Sequence, residues 1–227
     1  MDKNFRVRVI VGTIMFVGAA VGLCLFNGLP FRILYWLFTA MALVELLSFF
    51  KKKFSRASLL FAILEILFLI GGVIFTAEVG LKELWCIIIG VPGYDIFAYL
   101  FGKMFGGKIF GKARPFPHIS KNKTWEGTIF GLITAMGLVA ILLAVHGDLA
   151  TSWIYLLCGP LALIGDLFES YLKRTFKIKD SNEIIIKNKF FEKLEFCVGG
   201  SEGHGGFLDR IDSVAFAMSI LLLISLI

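Results

Sequence analysis

The chain has 227 residues, of which 58% are hydrophobic and 18% charged, and it carries 24 Phe and a formal charge of +6. A water-soluble domain holds roughly 45 to 50% apolar and about 25% charged residues, so this composition excludes an ordinary soluble fold, and the apolar excess equally excludes disorder. Lipid is the solvent that remains, and the positive charge then reports topology rather than nucleic-acid binding.

Taken in chain order, seven segments are long and apolar enough to be read as membrane helices: residues 8–26, 31–50, 57–77, 81–101, 126–146, 150–170 and 207–227. The first follows a short basic start, MDKNFRVR. Its apolar run is too long for a signal peptide and has no convincing cleavage site, so it reads as an uncleaved anchor. With seven spans the two termini fall on opposite sides. All but Arg32 and Lys82 of the 23 Lys and Arg then share one side, which predicts a cytoplasmic N-terminus. The expected fold is all-α: a single polytopic membrane domain over 1–227, with N-terminal spans at 1–90 and the motif-bearing spans and loops at 91–227. If the source is bacterial, that membrane is the inner one. Cys24, Cys86, Cys158 and Cys197 show no ligand spacing and read as reduced thiols. Gly18-x-x-x-Gly22 in the first span is a helix-packing spacing that admits a homodimer.

The outer connections, near 27–30, 78–80 and 147–149, are too short to hold a site, whereas the cytoplasmic loops at about 102–125 and 171–206 are long. Chemistry is therefore expected on the cytoplasmic face. The spans approach it with acids that lipid penalises: Asp95 in the fourth, Asp166 and Glu169 in the sixth, Asp209 and Asp212 in the seventh. Glu45 and Glu65 lie apart from any motif. The i, i+3 spacing of Asp166 with Glu169, and of Asp209 with Asp212, places each pair on one helix face, where it can bracket a divalent ion or neutralise nearby Lys173, Arg174 and Arg210. In the first loop, glycines at 102, 106, 107 and 111 alternate with Lys103, Lys108, Lys112, Arg114, Lys121 and Lys123, a pattern suited to a polyphosphate or to anionic lipid. In the second, cations at 173, 174 and 179 lie between clusters of acid, and His204 sits among three glycines. Oxygen ligands interleaved with phosphate-seeking cations suit phosphoryl transfer with magnesium rather than zinc.

Several stretches carry a family likeness: Asp95-x-x-Ala98-Tyr99-x-x-Gly102; Ser120-Lys121-Asn122-Lys123-Thr124-Trp125-Glu126-Gly127; Gly165-Asp166-Leu167-x-Glu169-Ser170; Lys173-Arg174-x4-Lys179-Asp180; and His204-Gly205-Gly206-x-x-Asp209-Arg210-x-Asp212. Together they resemble the phosphatidate cytidylyltransferases, the CDP-diglyceride synthases. The chain departs from the family pattern in the order of residues 121 and 122 and in an insertion at 181–202. The resemblance implies condensation of CTP with phosphatidic acid to CDP-diacylglycerol and pyrophosphate. It implies magnesium, with a second metal or a monovalent cation left open, held by Asp95, Asp166, Glu169, Asp209 and Asp212. Lys173, Arg174, Lys179, Asp180, His204 and Arg210 are the expected catalytic set. Ser120, Lys121, Lys123, Thr124, Trp125, Glu126, Ser170, Gly205 and Gly206 are expected to bind substrate. An inactive member, a member with a different acceptor, and a cation or proton transporter remain as alternative readings.

Overall fold

The computed structural model describes residues 17–49, 56–111, 113–120, 122–176 and 207–226. Every regular element among them is helical. Residues 17–24 form α1, and a 3-10 turn at Phe26–Gly28 leads into α2 (Leu29–Phe49). Then come α3 (Arg56–Glu78), α4 (Leu81–Phe105), α5 (Trp125–Val145), α6 (Cys158–Thr175) and α7 (Leu208–Ser225). A second 3-10 turn, Trp153–Leu157, precedes α6.

Five stretches are long and apolar enough to cross a membrane: Phe26–Ser48, Ser58–Glu78, Leu81–Phe105, Trp125–Val145 and Trp153–Thr175. The expected count of seven is therefore met in five cases. The span expected at 8–26 is helical over the part that is described, and α7 opens on Asp209, Arg210 and Asp212, which make its first turn polar. The sixth span is displaced from its expected limits. The chain turns at 147–152 and α6 runs on to Thr175, so Asp166 and Glu169 lie within the helix rather than at its end.

The outward faces carry large apolar side chains such as Leu37, Leu60, Leu67, Ile133 and Ile141, more than half or nearly half exposed, as lipid-facing positions must be. Since lipid offers no hydrophobic drive for helices to associate, close packing has to do it. The interior is accordingly rich in small residues where helices meet. A Cβ on Gly131 of α5 would stand 2.8 Å from the Ala98 Cβ of α4, and one on Gly165 of α6 would stand 2.9 Å from the Ser213 Cα of α7. Around these contacts Leu84, Ile87, Val91 and Tyr94 of α4 pack with Ala162 of α6 and with Phe216 and Met218 of α7. A second cluster joins Ala42 and Leu46 of α2 and Ala62 and Leu69 of α3 to Leu172 and Leu208. Ser219 Oγ of α7 donates to the Phe68 carbonyl of α3 at 2.6 Å. Gly22 of the predicted packing motif lies against Phe31 of its own chain, while Gly18 borders an internal cavity.

The two cations expected on the far side, Arg32 and Lys82, both have partners. Lys82 Nζ donates to Asp148 at 2.9 Å and to Ser152 at 3.2 Å, and an Arg32 guanidinium N–H donates to the Val79 carbonyl at 2.8 Å. Lys82 and Lys103 sit near opposite ends of α4, about 30 Å apart along its axis.

Candidate active site

One cavity of about 1300 Å³ opens between α1, α2, α4, α6, α7 and the loop leading into α5. Four segments deliver its polar groups. Asp95, Tyr99 and Lys103 come from α4; Arg114, Ser120, Asn122, Lys123 and Thr124 from the loop; Asp166, Glu169 and Lys173 from α6; Asp209, Arg210 and Asp212 from α7. The lining also includes apolar side chains, Phe31, Leu34 and Phe38 of α2 and Ile88 and Ile96 of α4.

Local sequence explains each placement. On α6 the spacing 166, 169, 173 follows one side of a 3.6-residue helix, so three charged groups share a stripe. On α7, residues 209 and 212 do the same in the opening turns. Pro92 deprives α4 of the N–H that would bond the Ile88 carbonyl, and Ile88, Pro92 and Asp95 all border the cavity. Thr124 caps α5 by accepting the Gly127 N–H at 3.1 Å, which anchors the loop carrying Ser120 to Lys123.

Opposite charges interleave across the cavity. Lys173 Nζ lies 2.7 Å from Glu169 Oε2 on its own helix and 3.4 Å from Asp209 Oδ1 on α7. Lys123 pairs with Asp166 and lies 5.6 Å from the centroid of the Tyr94 ring. Glu169 is 2% exposed, and its Oε1 has no hydrogen-bond partner among the described residues. Asp212 is also buried, and Ser213 Oγ approaches its Oδ1 at 3.4 Å. No group of three His, Cys, Asp or Glu among the described residues is gathered as a ready metal cluster. The chemistry of the donor set nevertheless fits a hard divalent cation. The cavity offers five carboxylates and neither thiol nor imidazole, and the buried Glu169 oxygen lacks a partner.

Of the residues expected from sequence, Asp95, Ser120, Lys123, Thr124, Asp166, Glu169, Lys173, Asp209, Arg210 and Asp212 line this one cavity. Four others do not. Arg174 is exposed, turned about 100° around α6 from Lys173. Ser170 lies on the flank of the same stripe, and Trp125 is 39% exposed on the first turn of α5. Glu126 is buried and occupied elsewhere: its Oε1 accepts the backbone N–H groups of Gly107, Ile109 and Phe110 at 2.9, 3.1 and 3.0 Å. It clamps the glycine turn after α4 instead of facing the cavity. Lys112, Lys121, Lys179, Asp180, His204, Gly205, Gly206 and the 181–202 insertion lie outside the described residues.

Sequence reasoning missed two contributors. Tyr94 supports Lys123, and it stands beside Asp95 in the recognised motif. Glu45, set aside for want of a motif, accepts the Phe207 N–H at 2.9 Å through Oε1 and the Leu208 N–H at 2.9 Å through Oε2. Its one signal in sequence was the cost of a carboxylate inside a span.

A sequence model of the cytidylyltransferase family matches residues 72–187. The phosphatidate cytidylyltransferase of Helicobacter pylori is 33% identical over 201 residues, covering 84% of this chain and 64% of its own length. That of Rickettsia felis is 38% identical over 154 residues, covering 63% and 57%, and that of Bacillus subtilis 40% over 125 residues, covering 53% and 40%. The chain thus spans less than two thirds of the length of these relatives.

Proposed function

The chain belongs to the cytidylyltransferase family, and from that membership and the cavity we propose that it transfers the cytidylyl group of CTP to phosphatidate, yielding CDP-diacylglycerol and pyrophosphate. The observation that carries this reading is a cavity whose lining combines carboxylates, lysines and arginines with apolar side chains of α2 and α4. A nucleotide and a lipid phosphate need both kinds of lining, whereas a soluble acceptor needs only the charged groups. The relatives named above all bear the name phosphatidate cytidylyltransferase, and none that of a transporter.

A phosphatidate phosphate is anionic near neutral pH, so one of its oxygens attacks the α-phosphorus of CTP without a dedicated general base. The new phosphoanhydride bond forms as the α–β bond breaks, and the electron pair leaves with pyrophosphate. The barrier comes from two anions approaching one another and from charge building on the leaving group. Lys173, Lys123 and Arg210 supply positive charge along that path. Lys173 and Lys123 already balance acids of α6 and α7. Asp209, Asp212, Asp166, Glu169 and Asp95 would hold magnesium, which when bound screens phosphate charge. Thr124 and Ser120 border the same volume and offer hydroxyls to nucleotide or head group. The acyl chains lie along Leu34 of α2 and Ile96 of α4, which line the cavity and are about half exposed. The charged groups of the cavity face the cytoplasm in this reading, which the one-sided distribution of cations in the sequence supports.

The deciding experiment is incorporation of radiolabelled CTP into organic-extractable lipid by purified protein, with phosphatidate and magnesium each present or withheld. Product is expected only when both are supplied, and Asp212→Asn should reduce it to background. Product without phosphatidate, or none from folded wild-type protein, overturns the reading.

A further inference from the structure

Glu45 is a buried carboxylate on α2, in a part of the chain that carries none of the recognised motifs, and it is 3% exposed. A carboxylate there is costly unless it is fully used. Both of its oxygens are used on one target: Oε1 accepts the Phe207 N–H and Oε2 the Leu208 N–H, each at 2.9 Å. These are the leading amides of α7, which have no acceptor within their own helix. Phe207 provides no side-chain cap. A remote residue therefore does what an Asp or Ser at the N-cap does locally, and its negative charge also meets the positive end of the helix dipole.

The position of this contact gives it a consequence for chemistry. Leu208 is followed directly by Asp209 and Arg210, and Asp212 lies one turn further on. A two-point contact fixes both the depth of α7 and its rotation about its axis. The Phe38 and Phe207 rings meet edge to face at 5.4 Å beside it, and Leu46 packs in the same cluster as Leu208. Rotation of α7 would carry Asp209 away from Lys173 and swing Asp212 out of the cavity. We propose that Glu45 is a positioning residue for the cavity: it sets α7 in the register that presents Asp209 and Asp212 opposite Glu169 and Lys173. This role in turnover rests on the cytidylyl-transfer reading, but the capping contact does not.

The test compares wild type with Glu45→Ala and Glu45→Gln in detergent, by amide hydrogen exchange over residues 207–212 and by steady-state kinetics per folded molecule. Glu45→Ala should expose the Phe207 and Leu208 amides to rapid exchange. Its kcat should fall about a hundredfold, as expected when reacting groups lose their alignment, with KM for phosphatidate unchanged. Glu45→Gln keeps an acceptor oxygen of the same reach, so its protection and kcat should lie between the two. It also carries the test if the alanine variant does not fold. A merely structural role would lower thermal stability and the folded fraction while leaving kcat per folded molecule at the wild-type value, and that result overturns the proposal. So does retained amide protection in Glu45→Ala. Absence of turnover by wild type would instead overturn the reaction, while exchange still decides whether Glu45 holds α7.

Discussion

Lys173 shows how much one side chain can organise. It bonds a carboxylate four residues earlier and reaches a second on another helix, so one ammonium links acids of α6 and α7. Glu126 does comparable work at the turn after α4, holding three of its amides, those of Gly107, Ile109 and Phe110, on one oxygen. Glu126→Ala should release that turn, lower the melting temperature and cut turnover about tenfold through misplacement of the Lys123 loop. Glu126→Gln, which keeps the acceptor oxygen, should lose less. Thermal unfolding and the CTP-incorporation assay measure the two effects, and equal loss in both variants would mean that charge, not the turn, matters. The family signature located Glu126 but not its partners, because a motif marks a residue as needed without saying whether it touches substrate or scaffold. Glu45 belongs to no motif: its partners lie 162 and 163 residues away, and no local pattern records such a pairing.

At the scale of the element, the charged stripe of α6 was legible because i, i+3 and i+7 positions share a side of any helix. Its location along the helix was not. Hydropathy places the end of a span where polar residues begin, but α6 carries Asp166, Glu169 and Lys173 inside a helix that continues to Thr175. Ion pairing across the bundle makes those charges tolerable where lipid alone would not. The α4 and α5 contact depends instead on the absence of side chains. Gly127 and Gly131 both lie against Ala98, which lines the cavity along with Asp95 and Thr124. Gly131→Val should force these helices apart at a cost of about 1 to 3 kcal/mol. Thermal unfolding in detergent measures it, and an unchanged midpoint would show that the helices are not in contact there.

For the whole molecule, composition was decisive about solvent and silent about arrangement. The outward apolar faces and the two ends of opposite character, one with Lys82 paired to Asp148 and the other with the basic loop, agree with a chain set across a bilayer. The proposed orientation has a direct check. In a version with its four native cysteines replaced, His118→Cys should react with an impermeant maleimide only from the cytoplasmic side, and Leu149→Cys only from the other. Reaction of both from one side would overturn the topology.

Sequence alone determined the all-helical membrane class and the residues on which to look for phosphate chemistry, because hydropathy, charge asymmetry and helical periodicity act over short stretches of chain. Tertiary structure decided which of those residues meet. The cavity is assembled from α4, α6, α7 and a loop that are far apart in sequence, and ion pairs, glycine contacts and a carboxylate from α2 set their register. Those terms depend on distances between segments, which local sequence does not encode.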